Sequence, residues 1–291
     1  MHLHYLLPAF AGAVYALSSM FCKRALQEGS GALRLSFVAN VCLFLGFAPL
    51  TLIPGEPPDW SQLHWPIMAG TGFFIGNFLT FMAIKYGDVS VQAPMMGTKV
   101  VFVAAFSVIM GAGPVPLTWW IGAGLTAIAI FLLSFSDWSN RRAILKTAVL
   151  ALAASAVFGL TDVLVMKHAG GFSPGWFLAL VAGVLALESL LLIPCFEGRL
   201  RDTPRKAWPW ILGGAALMSM QAVSLGSGLA FWGDATALNI IYSSRGLWSI
   251  VFVWGIGSLF ANREREAGNK VMGRRMAGAL MLVAAIALVL I

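Results

Sequence analysis

Long apolar runs and short polar stretches alternate along the whole chain. The runs are about 17 to 25 residues long, which is the length an α-helix needs to cross roughly 30 Å of hydrocarbon. Because the bilayer core offers no water to backbone N–H and C=O groups, such runs are expected to be helical. The predicted spans are residues 5–21, 34–53, 66–84, 88–111, 117–135, 147–166, 175–194, 208–232, 234–260 and 275–291. The pattern therefore predicts an all-α integral membrane protein with ten transmembrane helices.

The composition excludes an ordinary water-soluble domain. Hydrophobic residues make up 59% of the chain and charged residues 11%, whereas soluble domains have about 45–50% apolar and about 25% charged residues. The net charge of +7 would suggest nucleic acid as the partner of a soluble protein. In a membrane protein the positions of the charges matter more. We therefore expect a multi-pass protein of the cell (inner) membrane, with the lipid bilayer and a small molecule as partners and no nucleic acid.

Basic residues are distributed unevenly between the connections. Most of the 19 lysines and arginines follow the first, third, fifth, seventh and ninth spans. Positive residues are retained on the cytoplasmic side of a membrane. This bias predicts that both termini lie outside the cell.

An internal repeat relates the two halves of the chain. Residues 14–19 of the first span resemble residues 157–162 of the sixth at an offset of 143, and residues 87–90 resemble residues 233–236 at an offset of 146. Such self-similarity indicates a duplicated architecture.

Each half holds five spans, so the second half enters the membrane inverted. The predicted division is into residues 1–140 and 141–291. Inverted repeats are common in secondary transporters, whose substrate site lies near the midplane between the halves.

Several short motifs occur in the same order in both halves. They are the aromatic-to-lysine stretches 15–23 and 158–167, the turns at 87–88 and 233–234, and the small-residue openings 121–125 and 276–280. Over nearly all of the chain these motifs resemble the drug/metabolite transporter superfamily, in its ten-helix EamA-type branch. The resemblance implies a ten-helix bundle whose central cavity is lined by both repeats and which moves small organic solutes, often outward. It also implies cytoplasmic termini, opposite to the charge bias, which leaves orientation and direction of transport open.

Two cations lie near the middle of predicted spans. Lys99 and Arg245 occupy equivalent positions at the offset of 146, and a charge at that depth costs at least about 2.5–3.5 kcal/mol. One hypothesis is that they face the cavity and bind an anionic group such as a carboxylate or phosphate. The other is that Asp162 and Glu188, also within spans, neutralise them and fix helix packing.

The same two acids are candidates for proton coupling. A carboxyl group in a partly dry cavity can exchange protons at physiological pH. Ser19 occupies the position equivalent to Asp162 in the first half. The absence of a symmetric acid pair counts against the pattern of paired acids expected for antiport of cationic drugs.

Further polar and aromatic side chains are candidates for the site. Asn77 and Gln221 are paired at an offset of 144 and could bind solute or join neighbouring helices by hydrogen bonds. Tyr242 and Trp248 lie three residues either side of Arg245, so on a continuous helix they share its face and could line a pocket for a planar group.

Two features concern the ends and bends of the fourth and ninth helices. Asp88 and Asp234 are expected to cap the starts of these helices. Pro94 is expected to kink the fourth, and it has no proline counterpart in the ninth.

We therefore predict a secondary transporter, in the direction of export, for a small anionic or zwitterionic metabolite such as an amino acid or sugar derivative. The alternatives are proton-coupled export of apolar cationic drugs and a non-transporting structural or receptor-like membrane protein. We expect no enzyme, metal or cofactor, because the four histidines lie at segment ends and no HExxH or nucleotide-binding motif occurs.

Overall fold

The computed structural model describes residues 3–86, 95–134, 141–256 and 269–290. Within these residues the fold is all-α, as predicted, with no β-strand. The helices are α1 (Leu6–Gln27), α2 (Ala32–Phe47), α3 (His64–Tyr86), α4 (Lys99–Ile109), α5 (Leu117–Ser134), α6 (Arg141–Phe172), α7 (Pro174–Glu188), α8 (Trp208–Trp232), α9 (Ala235–Tyr242), α10 (Arg245–Ile256) and α11 (Asn269–Leu290).

In the described part of the chain, five helical segments are long and apolar enough to cross a membrane. They are Leu3–Gln27, Ala32–Leu52, Leu145–Phe172, Pro174–Cys195 and Arg205–Trp232. Shorter apolar helices cover Lys99–Ile109, Leu117–Leu133 and Met276–Leu290. All of these segments overlap predicted spans, so a multi-span all-α membrane protein is confirmed. The total of ten spans stays a prediction.

Local backbone signals separate consecutive helices where the apolar pattern pauses. Gly31 adopts a φ of 75° immediately before α2, and Ser173 adopts a φ of 96° immediately before α7. Pro174 follows as the first residue of α7, a position where proline's missing N–H costs nothing. These residues mark the boundaries between α1 and α2 and between α6 and α7.

The predicted ninth span is interrupted, contrary to the expectation of a continuous helix. Residues 243–244 form a turn between α9 and α10, which we call the second break. The Ser244 carbonyl then accepts the N–H groups of Leu247 at 2.9 Å and Trp248 at 3.1 Å. No proline lies nearby, but the Ser243 hydroxyl donates to the Asn239 carbonyl at 2.9 Å, and a serine bond of this kind bends helices.

An equivalent turn interrupts the fourth span at residues 97–98, the first break. The Thr98 carbonyl accepts the N–H groups of Val101 at 3.0 Å and Phe102 at 3.2 Å. Each of these three residues lies 146 positions before its counterpart at the second break. Pro94, the predicted kink, lies outside the described residues.

Helix pairing follows the same scheme in both halves. The helix α1 packs along α8 as α6 packs along α3, and α2 packs on α8 as α7 packs on α3. The helices α5 and α11 pack against each other. These pairings agree with an inverted repeat, while the boundary between residues 140 and 141 stays a prediction.

The predicted capping role of Asp234 is wrong. Asp234 lies at the start of α9 in a left-handed conformation with φ 55°, and its side chain makes no capping hydrogen bond. The Ala235 N–H instead meets the sulfur of Met166 at 3.2 Å. Asp88 lies outside the described residues.

Candidate functional site

The two breaks bring polar side chains together inside the bundle. Lys99, the first residue of α4, extends its Nζ to within 2.7 Å of Oδ2 of Asp162 on α6. The Lys99 side chain is 14% exposed and the Asp162 side chain 2%. Of the two hypotheses for the cations, the structure therefore places Lys99 in an ion pair with an acid.

Asn239 on α9 shares the same carboxylate. Its Nδ2 donates to Asp162 Oδ2 at 2.8 Å and to the Ala235 carbonyl at 2.9 Å. Asn239 is fully buried, so both donors of its amide are used away from water. Sequence reasoning missed this residue, although an asparagine between apolar neighbours three residues before Tyr242 was the available signal.

Arg245 has a different environment from Lys99. Its guanidinium carbon lies 4.9 Å from the ring centroid of Tyr15 and 4.8 Å from that of Tyr242. The two rings are 6.0 Å apart and nearly perpendicular. We call Tyr15 and Tyr242 the tyrosine cage. Within the described residues, no carboxylate lies at ion-pair distance from Arg245.

A hydrogen-bonded chain leads from Arg245 to α8. Arg245 Nη1 donates to the Tyr242 hydroxyl at 3.4 Å, and that hydroxyl donates to Gln221 Oε1 at 2.9 Å. Tyr242 and Gln221 are both buried. Buried polar groups are costly unless paired, so this chain fixes the orientation of Tyr242 beside the guanidinium. Tyr15 was not singled out from the sequence as a site residue.

The helix α1 lies directly on the second break because Gly12 has no side chain. A Cβ at Gly12 would lie 2.8 Å from Ser244 Oγ, 3.0 Å from the Tyr242 carbonyl oxygen and 3.1 Å from the Arg245 nitrogen. At the first break, the equivalent contact comes from Ser155 of α6, whose hydroxyl donates to the Met95 carbonyl at 3.1 Å. Each break is therefore braced by a helix of the other half.

The remaining candidates lie apart from these contacts. Thr71 donates to Oε1 of Glu188 at 2.7 Å, while Oε2 of Glu188 is buried and has no hydrogen-bond partner among the residues that the structure describes. Trp248 is 39% exposed and stacks on Phe252. Asn77 is half-buried and its amide makes no hydrogen bond to the described part of the chain. The structure brings Lys99, Asp162, Arg245, Tyr242 and Gln221 to the centre and leaves these three outside.

A second cluster of charges lies at the end of α1, outside the predicted spans 5–21 and 208–232. Glu28 pairs with Arg24 at 2.7 Å and with Lys206 at 3.0 Å. The hydrogen bond from Lys206 and the charges of both bases hold the pKa of Glu28 below its usual range. Arg34 is buried nearby and donates to the Arg199 carbonyl at 3.3 Å. These contacts tie the connection before α8 to the start of α2.

Comparison with known structures supports the fold over the whole chain. One protein with a solved crystal structure superposes with a TM-score of 0.73, at 14% identity, over 98% of this chain and 95% of its own. At that identity the likeness concerns the fold alone. None of the proteins with curated functions matches the sequence.

The sequence itself matches a described family over its first half. Residues 3–135 match the profile of the EamA-like transporter family. This family consists of transporters rather than enzymes, and the match agrees with the predicted resemblance to the drug/metabolite transporter superfamily. The chain is thus a multi-pass membrane protein similar to the EamA-like transporter family, which implies transport of small molecules across a bilayer.

Proposed function

We propose that the protein is a secondary transporter of a small anionic or zwitterionic metabolite, such as an amino acid or a sugar derivative. Arg245 holds the anionic group of the substrate between the halves of the bundle. The direction we propose is outward across the cell (inner) membrane, because members of the superfamily that the motifs resemble often move solutes outward.

The observation that carries this proposal is the difference between the two central cations. Lys99 is neutralised by Asp162 at 2.7 Å, whereas Arg245 contacts two aromatic rings and a hydroxyl. Among the described residues, Lys99, Asp162 and Arg245 together leave one positive charge at the centre without a carboxylate partner. Ionisable groups at this depth are expensive and need a partner. An anionic substrate supplies the missing partner.

The tyrosine cage suits this role chemically. Arginine carries five N–H donors in a planar fork that matches carboxylate and phosphate groups, and one donor is engaged with Tyr242. Ring contacts hold the guanidinium without neutralising its charge. The N–H groups not used by Tyr242 can then donate to the oxygens of an anion in a charge-assisted pair.

Export of apolar cations, the alternative, finds less support. A carboxylate that recognises a cation should be free of competing bases, and Asp162 already accepts from Lys99 and Asn239. Within the described part of the chain, Glu188 has a buried oxygen without a hydrogen-bond partner, so it is the candidate acid for that role. The experiment below separates the two.

The test measures thermal stability of the purified protein in detergent against amino acids, organic acids, sugar phosphates and cationic dyes. We expect an anion or zwitterion to stabilise the protein, since a ligand of the folded state raises its unfolding temperature. Arg245→Ala should weaken that ligand about tenfold or more. Arg245→Lys should bind with intermediate strength because it keeps the charge and loses the fork.

Arg205→Ala is the matched control, because Arg205 is an exposed base outside the bundle. It should leave the stabilisation unchanged. Stabilisation by cations alone, lost in Glu188→Gln, would favour the alternative. Proteoliposomes loaded with the unlabelled form of a stabilising anion should then take up the labelled anion by exchange. Binding without such exchange would indicate a receptor.

A further inference from the structure

We propose that Asp162 takes up a proton when the anion binds, so that the anion and one proton are carried together. The inference rests on the proposed function, because it concerns the same central site. It assigns a second carried species, the proton, and a reason why Lys99 and Asp162 are paired in the substrate-free protein.

The first step is that Lys99 can serve an anion beside Arg245. Both residues begin a helix immediately after a break, at equivalent positions in the two halves. The helix α9 connects their surroundings, since Asn239 and Tyr242 lie one turn apart on it and contact Asp162 and Arg245 respectively. The Lys99 side chain is 14% exposed, and its partner Asp162 also interacts electrostatically with Arg245, so the two cations lie on either side of one carboxylate.

The second step is competition for that ammonium group. An anion oxygen that pairs with Lys99 replaces Oδ2 of Asp162, now 2.7 Å away. Asp162 is 2% exposed, so water does not take the place of the lost base. Among the described residues, its remaining hydrogen-bond partner is the neutral amide of Asn239. A buried carboxylate without a counter-charge neutralises itself by binding a proton.

The charges balance in this exchange. Before binding, Lys99, Asp162 and Arg245 sum to one positive charge. After binding, two cations, one monoanion and a protonated Asp162 again sum to one positive charge. The ion pair between Lys99 and Asp162 breaks, the pair between Lys99 and the anion forms, and the proton is taken up from the bulk solution. The buried site thus gains no net charge on loading.

Among the titratable groups around Asp162, its own carboxyl group is the one we expect to bind the proton. Four titratable groups with described side chains lie on helices packed against α6: His64 of α3, Lys99 of α4, Glu188 of α7 and Tyr242 of α9. Arg245 of α10 interacts with Asp162 across the centre. His64 is exposed at the start of its helix, and Glu188 is bonded to Thr71. Asp162 is the acid in contact with a displaceable base.

Coupling of this kind makes the protein a symporter of anion and proton. By linkage, an anion that promotes proton binding is itself bound more tightly at lower pH. Export then proceeds whenever the outward gradient of the anion exceeds the inward gradient of protons.

Lactate and alanine are the probes, because they have the same carbon skeleton and carboxylate and differ in a hydroxyl against an ammonium group. Each is mixed with the purified protein in weak buffer containing a pH indicator. We expect proton uptake approaching one per lactate bound and a lactate Kd that rises about tenfold per pH unit where uptake is complete. The ammonium group of alanine can pair with Asp162 in place of Lys99. Binding of alanine should therefore cause no proton uptake by the protein.

Asp162→Asn should bind lactate with no proton uptake and no dependence on pH over the same range. Because this variant leaves Lys99 without an acid, the double variant Lys99→Gln/Asp162→Asn provides a charge-balanced form that keeps Arg245. It should bind lactate more weakly and also take up no proton. Glu188→Gln should retain uptake.

Three results would overturn the inference. Lactate binding that needs Arg245 but takes up no proton leaves the proposed function intact and removes the coupling. Uptake that persists in Asp162→Asn and disappears in Glu188→Gln assigns the proton to the other acid. Failure of lactate to bind counts against the inference, and failure of both lactate and alanine to bind counts against the proposed function as well.

Discussion

Replacing Tyr242 by phenylalanine tests whether the tyrosine cage is held by its hydroxyl group. The Tyr242 hydroxyl accepts from Arg245 at 3.4 Å and donates to Gln221 at 2.9 Å. Both Tyr242 and Gln221 are buried. Tyr242→Phe keeps the ring against the guanidinium and removes both hydrogen bonds. Tyr15→Phe is the matched control, since Tyr15 contacts the guanidinium through its ring.

The expected magnitude follows from the groups left unpaired. Removing one partner of a buried hydrogen bond costs about 1–3 kcal/mol, because the other partner stays desolvated. The Gln221 oxygen is buried and loses its donor, while Arg245 is half-buried and its bond at 3.4 Å is long. We therefore expect Tyr242→Phe to lose about 2 kcal/mol of unfolding free energy. Tyr15→Phe should lose well under half of that.

The assay is thermal unfolding in one detergent for both variants, together with the cycle that adds Gln221→Leu. In soluble chains of 150–250 residues, 1 kcal/mol shifts the midpoint by roughly 2–4 °C. Tyr242→Phe should therefore unfold several degrees below Tyr15→Phe. In the cycle, Gln221→Leu should cost less in the Tyr242→Phe background than alone. Equal midpoints for the two phenylalanine variants, with no coupling to Gln221, would refute the reasoning.

Three further predictions concern stability. Gly12→Val should destabilise the protein by about 1–3 kcal/mol, because its Cβ would overlap the second break. The control in the same denaturation series is Gly171→Ala, whose added Cβ meets nothing within 4 Å. Lys99→Ala should cost about 3–5 kcal/mol by leaving the Asp162 carboxylate buried without a base, and Lys99→Ala/Asp162→Asn should recover part of this loss in the same melts. The pKa of Glu28 is lowered in the folded protein, so its stabilising contribution is complete above its ordinary pKa and is lost as the pH falls through the folded value. Glu28→Gln should therefore reduce the loss of stability at acid pH, measured by thermal unfolding across pH. An unchanged loss would assign it to other acids.

The sequence determined the fold class and indicated the similarity between the two halves of the chain. Runs of apolar residues long enough to cross hydrocarbon require helices, since backbone groups have no other partners there. The offset of 146 between Lys99 and Arg245 also predicted that two cations would occupy equivalent places. In the structure each begins a helix directly after a break. These features are local or periodic, and so they can be read from order along the chain.

The interruption of the ninth span was not predicted from the sequence. Residues 243–244 are two serines without a neighbouring proline, and the apolar run from residue 234 to residue 260 was interpreted as one continuous helix. In the structure, the backbone of α1 at Gly12 packs directly against the turn at residues 243–244. Contact between residues more than 200 positions apart leaves no periodic signal.

The sequence likewise left the two cations equivalent, and only the packed bundle distinguished them. Both lie at the same depth and each could have paired with an acid. Packing of α4 on α6 delivers Asp162 to Lys99, whereas packing of α1 on α10 delivers the ring of Tyr15 to Arg245. Composition and spacing fix which charges enter the membrane, but the partner of each charge depends on which helix faces it, and that is a property of the assembled bundle.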